Sequence, residues 1–289
     1  VTFPFGQSVG EGGRNKPADV AIVQDLFNRQ RPVIGPFALD GISTPALAAA
    51  VRTYQTDVMK SVAADGRIDA GGGTIAKLLK DAIASGPDDL FGVRRAVLGP
   101  ATRTSVAVDL YTRQFATAPP NLTVLLNAMI ADVNLTDIRW AAYMIGTARI
   151  ETGSTLTPIE EIGAGAGHDY GLPAEYVDSA GNKYGHVYYG RGYVQLTWLR
   201  NYLAIGQALG LADQLAIDPA KALDPTTAYN VMSHGMRNGV FTGRRLSGYI
   251  SGTMCDYPHA RRIINGMDRA YEIAAIAEAM EILMRVASI

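Results

Sequence analysis

Helix-start signals recur along this chain so regularly that they leave little room for extended strands. Thr44 stands before Pro45 and Asp224 before Pro225, while Asp19, Thr74, Asp137 and Thr197 each precede apolar residues at helical spacing. A small polar side chain at a helix start accepts an otherwise orphaned backbone N–H, and proline fits the first helical position because its missing N–H has no partner there. The spacing predicts helices through Val20, Val23, Leu26 and Phe27, through Leu47 and Val51, through Ile138, Ala142, Ile145 and Ala148, and through Trp198, Tyr202 and Ile205. A helix from Asp224-Pro225 stops near Asn238-Gly239, and Ile273, Ile276, Met280 and Leu283 mark a long closing helix. Only Val187 to Val194 has the aromatic and β-branched character of a strand. The expected fold class is therefore mainly α, with a small β-hairpin near that stretch.

The first 85 residues read as a small three-helix domain with weak internal duplication. Asp40-Gly41 and Asp65-Gly66 each make a turn that leads to a threonine, Thr44 or Thr74, able to cap a new helix. Ser85-Gly86-Pro87-Asp88-Asp89 carries the turn formers of a connection. The reading is a domain over 1–85, a linker over 86–95 and a larger α-helical domain over 96–289, sizes at which each can bury a core. With its two Asp-Gly turns, helix-starting threonines and the Tyr54-Gln55 pair, the stretch 15–80 resembles the peptidoglycan-binding domains found beside cell-wall hydrolases. That resemblance implies a wall-binding role.

Net charge narrows the partners. At −1 over 289 residues the chain lacks the broad basic excess that drives phosphate binding, so nucleic acid is not an expected partner. Its single cysteine, Cys255, forbids an internal disulfide and argues against a thiolate zinc cluster. No run of 18 apolar residues suggests a membrane span. No secretory leader is legible, and a monomer is the default expectation.

The chemistry is expected in two segments. In the first, Glu151 falls at the end of a helix that Gly153 is placed to terminate. A carboxyl there faces the negative end of the helix dipole, and any burial adds desolvation; both disfavour ionisation, which suits a general acid. Glu160 and Glu161 follow after a short loop, and glycosidases work with two carboxyls. In the second, Tyr188, Tyr189 and Tyr193 either stack on sugar faces or pack in the core. Arg191 and Gln195 either donate to ring substituents or brace the carboxylates, Gly190 and Gly192 permit close backbone approach, and Thr197 either caps a helix or holds a water. Gly163-Ala164-Gly165-Ala166-Gly167 lacks the Lys-Ser/Thr of a phosphate loop and reads as a mobile loop at the rim of a cleft. Cys255 and His259 lie too close in sequence for an ordinary thiol dyad, and the histidines lack metal-ligand spacing.

The run Tyr189-Gly190-Arg191-Gly192-Tyr193-Val194-Gln195-Leu196-Thr197, followed by Asn201-Tyr202, resembles the signature of family 19 glycoside hydrolases and their phage endolysin relatives. Glu151-Thr152-Gly153 is similar to that family's acid-bearing segment. Asp218-Pro219, Asp224-Pro225 and the run from Ala260 to Gly266 fit its later landmarks. Two departures stand out: Ile150 replaces a histidine common before the acid, and the loop after Glu151 is shorter than in plant chitinases. The resemblance implies a lysozyme-like catalytic domain with Glu151 as general acid and Glu161 or Glu160 as base. The endolysin spacing favours Glu161. Thr197 would position water, and Tyr189, Arg191, Gln195, Asn201 and Asn265 would bind substrate. It further implies a muramidase acting on bacterial peptidoglycan without cofactor or metal, made in a host cytoplasm and released to the wall. A chitinase, a lytic transglycosylase and a catalytically dead wall-binding protein are the alternatives.

Overall fold

The structure, a computed structural model, describes residues 6–30, 34–84, 102–117 and 119–288. The expected linker over 86–95 lies outside them. Among the described residues the fold is mainly α, with a few short two-stranded antiparallel sheets. The chain forms two compact units, Val1–Ala118 with Ala279–Ile289, and Pro119–Glu278.

In the first unit, β1 (Val9–Gly10) pairs antiparallel with β2 (Arg67–Ile68), among the helices α1 (Pro17–Asn28), α2 (Pro45–Asp57), α3 (Gly73–Ala84) and α4 (Thr104–Phe115). The core holds Ile22, Leu26 and Phe27 of α1, Leu47, Val51 and Tyr54 of α2, and Leu78 of α3. The internal duplication has a definite form. Gln24 Nε2 donates to Asp40 Oδ1 at 2.7 Å, and Gln24 Oε1 accepts from the backbone N–H groups of Asp40 and Gly41. One helix later, Gln55 Nε2 donates to Asp65 Oδ1 at 2.8 Å and Gln55 Oε1 accepts from Gly66 N–H. Each aspartate also accepts from the N–H two residues on, Ile42 or Arg67. A buried amide thus braces each Asp-Gly turn by satisfying polar groups that burial would otherwise leave unpaired.

Two capping expectations in this unit change. Thr44 caps α2 as expected, accepting from Leu47 N–H. Helix α1 instead begins at Pro17, so Asp19 lies in its first turn, buried, accepting from Gly6 N–H at 2.8 Å. Thr74 lies inside α3, and its hydroxyl accepts from Gln55.

The second unit contains α5 (Leu122–Ala131), α6 (Ile138–Glu151), β3 (Ile159–Glu160), β4 (Ala174–Val177), β5 (Lys183–His186), β6 (Arg191–Gly192), α7 (Leu199–Ala208), α8 (Gln214–Ile217) and α9 (Pro225–Asn238). After these come β7 (Ile250–Ser251), β8 (Met254–Cys255), α10 (Tyr257–Ala260) and the start of α11 (Ala270–Ala287). Asp137 and Asp224 cap α6 and α9, and Gly239 ends α9 in the left-handed region, all as expected. The hairpin near the site is β4–β5, just upstream of the predicted stretch. Within 187–194 only Arg191–Gly192 is strand, paired antiparallel with β3.

Candidate active site

Helix α6 carries Glu151 at its last position. Midway along it, Gly146 permits close packing: a Cβ there would stand 2.9 Å from the carbonyl oxygen of Ile273. Past the end, Gly153 takes φ +60° and Ser154 N–H donates back to Arg149 O at 2.7 Å, the left-handed termination read from the sequence. Thr152 ties the following loop to the helix, its hydroxyl donating to Ala148 O and accepting from Leu156 N–H. The chain therefore returns within a few residues to β3, whose register pairs Ile159 with Gly192 and Glu160 with Arg191.

That register separates the two candidate bases. Glu160 is half exposed and accepts from Tyr189 Oη at 2.8 Å and from Arg191 Nε at 3.3 Å. Glu161 Oε2 accepts from Gly190 N–H at 2.9 Å and its Oε1 from Tyr170 Oη at 3.0 Å. Burial and the adjacent Glu161 carboxylate push the Tyr170 phenol up to about 12, so at neutral pH it remains a donor to Glu161. Tyr170 follows the Gly163–Gly167 loop, which is a succession of reverse turns. The loop packs so tightly that a Cβ on Gly171 would come within 1.9 Å of Gly165 O.

Glu151 and Glu161 line one cavity of about 450 Å³, together with Gln195, Thr197, Asn201 and Asn265. Those are six of the residues singled out from the sequence. Glu160, Tyr189 and Arg191 are absent from its lining. Arg191 is buried instead, donating from Nη1 to Val187 O, Tyr189 O and Tyr202 Oη, with its guanidinium 3.6 Å from the centre of the Tyr189 ring. It holds the segment's shape from inside. Of the two readings open for the tyrosines, core packing holds for Tyr188 and Tyr193, each 1% exposed. The aromatic wall comes from Tyr170, Trp198 and Phe241. Phe241 lies against α9 because Gly235 leaves room: a Cβ there would be 2.1 Å from the ring. Thr197 is not the cap of α7; Trp198 occupies that position, and the Thr197 carbonyl accepts from Asn201 Nδ2 at 2.9 Å.

The backbone here is strained. Gln195 and Trp198 adopt φ +53° and +69°, a region that costs a bulky residue of order 1–3 kcal/mol and persists where surroundings enforce it. Gln195 is pinned by bonds from its amide to Ile159 O and Gly192 O, and Gly190 lies so near that a Cβ on it would be 2.6 Å from Gln195 Oε1.

One partner was not anticipated. Arg261, 3% exposed in its side chain, donates from Nη1 to Glu151 Oε1 at 2.6 Å and from Nε to Asp268 O at 3.0 Å. A buried guanidinium requires such pairing. A fixed cation thus stands against one carboxyl oxygen of Glu151. Glu151 Oε2 has no hydrogen-bond partner among the described residues. In the Cys255–His259 neighbourhood, His259 Nδ1 is engaged by Asp256 at 2.9 Å.

The chain matches no family model, no curated protein and no solved structure.

Proposed function

We propose that the chain is a peptidoglycan hydrolase that cleaves β-1,4 glycosidic bonds of the glycan strand by general acid/base catalysis. The observation that carries this reading is the meeting of Glu151 and Glu161 in one cavity whose wall also holds Gln195, Thr197, Asn201 and Asn265. Two carboxyls with different partners, set among aromatic rings and amides, are the equipment for breaking an acetal link between sugars. Glu151, held through Oε1 by Arg261, carries the transferable proton on Oε2 and delivers it to the leaving oxygen. Glu161, oriented by Tyr170 and Gly190 N–H, takes a proton from the attacking water. Gln195 and Thr197 orient the reactants, and no cofactor enters. Glu160 shapes the strand beside the cavity.

The sequence likeness to family 19 glycoside hydrolases and endolysins supports a lysozyme-like domain of muramidase type. The likeness of 15–80 to peptidoglycan-binding domains supports the bacterial wall, rather than chitin, as the polymer. In this reading a phage endolysin, working as a monomer, accumulates in the host cytoplasm and acts at the wall. Among the described residues no helix is long and apolar enough to cross a membrane.

The test is digestion of purified peptidoglycan by the intact chain and by Glu151→Gln, with mass spectrometry of the products. Glutamine keeps an acceptor for the buried Arg261, which alanine would strand. The wild-type chain should release muropeptides with reducing N-acetylmuramic acid ends, and the variant should lose about 10²–10⁴-fold in rate, the usual worth of a positioned acid. Anhydro-sugar ends would mark a transglycosylase. Untouched peptidoglycan, or a variant as fast as wild type, would overturn the reading.

A further inference from the structure

One cation at the cavity is left without a carboxylate partner among the described residues. Glu151 is met by Arg261, and both oxygens of Glu161 are occupied by Tyr170 and Gly190 N–H. Arg200 also lines the cavity, is exposed, and has no carboxylate partner among the described residues. Its guanidinium carbon lies 5.0 Å from the centre of the Trp198 ring, a distance at which cation and indole attract. The backbone N–H of Trp198 donates to Tyr188 O at 2.9 Å, and its ring makes an edge contact with Tyr170 at 5.8 Å between centroids. Arg200 is thus a cation seated on the aromatic wall of a cleft that contains two carboxyls.

Resting on the glycan-hydrolase reading, we infer that Arg200 determines specificity by receiving a carboxylate of the substrate. A strand of N-acetylglucosamine alone presents hydroxyls and amides, which place no demand on a guanidinium. An acidic strand brings a carboxylate, which a planar guanidinium binds through paired N–H groups. It also brings repulsion from Glu161, the base of the proposed mechanism, which a nearby cation offsets. In peptidoglycan the carboxylate has two sources, the lactyl ether of muramic acid and the stem peptide attached to it. Both present the same chemistry to Arg200.

Calorimetric titration of the full chain with three disaccharides separates the cases. These are N,N′-diacetylchitobiose, N-acetylglucosaminyl-N-acetylmuramic acid with its lactyl carboxylate free, and the latter capped with L-Ala-D-Glu. At least one acidic ligand should bind about tenfold more tightly than chitobiose, the scale of one charge-assisted hydrogen bond. The preference should vanish in Arg200→Gln and survive in part in Arg200→Lys, and the ligand that shows it identifies the source. Because Arg200 is exposed, both variants should melt with the wild-type chain, which confirms that they are folded. Absence of preference in the wild-type chain, through equal binding or none, overturns the inference, as does a preference that Arg200→Gln retains. If peptidoglycan is still digested in that case, the proposed function stands; if it is not, both fall.

Discussion

Tyr193 lies in the middle of the signature run, yet its hydroxyl is buried and has no hydrogen-bond partner among the described residues. Burial, with Asp224 nearby, pushes its phenol up to about 12, so the group carries a proton and bonds nothing. Removing an unpaired buried hydroxyl relieves a desolvation penalty, so Tyr193→Phe should leave glycan cleavage unchanged and raise stability by up to about 1 kcal/mol. Denaturant midpoints and turnover of the variant check this; a loss of substrate affinity would return Tyr193 to the sugar-binding wall. The case shows how far single residues are legible. Gln195, Thr197, Asn201, Asn265 and both favoured carboxyls were marked by motif and do line the cavity. The division of aromatics was not legible, because tyrosine is equally suited to core and cleft and only the packed chain decides. Arg191 was legible in part: it braces the Glu160 carboxylate, one of the two roles its donors suggest, while its remaining N–H groups are spent on carbonyls and Tyr202. Arg261 sat in a recognised landmark, but its pairing with Glu151 joins distant segments and leaves no local signal.

At the scale of elements, Asp132 follows the end of α5 and accepts from Ser233 Oγ at 2.6 Å and Tyr229 Oη at 2.9 Å, both on α9. Burial works to raise its carboxyl, but the bonds from Ser233, Asn134 N–H and Tyr229 outweigh it and hold the group below its ordinary 3.8. A carboxyl depressed on folding contributes stability that is present above the unfolded value and lost as pH falls through the folded one. The wild-type chain should therefore exceed Asp132→Asn by about 1–2 kcal/mol at pH 7, the worth of hydrogen bonds to a charged group, with the gap closing below pH 3.8. Urea midpoints across pH would show it, and a gap independent of pH would refute it. Elements whose signals are local were legible. Thr44-Pro45, Asp137 and Asp224-Pro225 start helices because cap and first turn are adjacent in sequence. Asp19, Thr74 and Thr197 look the same but answer to other partners: Asp19 to Gly6, Thr74 to Gln55, and Thr197 to Asn201 through its carbonyl. The β4–β5 hairpin had a signal that went unread, the Asp178-to-Asn182 turn, in which the Asp178 carboxylate accepts from the N–H groups of Ala180 and Asn182.

Across the whole molecule, the lining of the cavity comes entirely from Pro119–Glu278, and the two glutamine-braced turns come from Val1–Ala118. If the turns serve wall retention and the cavity serves cleavage, the two properties should separate by substitution. Glu151→Gln keeps the acceptor for Arg261 and leaves Gln24 and Gln55 untouched, so it should sediment with peptidoglycan as the wild-type chain does while releasing nothing. The converse variant is Gln24→Leu with Gln55→Leu. Leucine fills similar space but cannot satisfy the N–H groups of Asp40, Gly41 and Gly66 or the carboxylates of Asp40 and Asp65. At about 1–3 kcal/mol for each buried group left unpaired, the turns should lose their local form, and with it sedimentation. Cleavage of short soluble glycan fragments should persist at the wild-type rate, because those fragments need only the cavity. Sedimentation and cleavage falling together in the double variant would mean that retention and chemistry share one surface, and the assignment of wall binding to the glutamine-braced turns would be withdrawn.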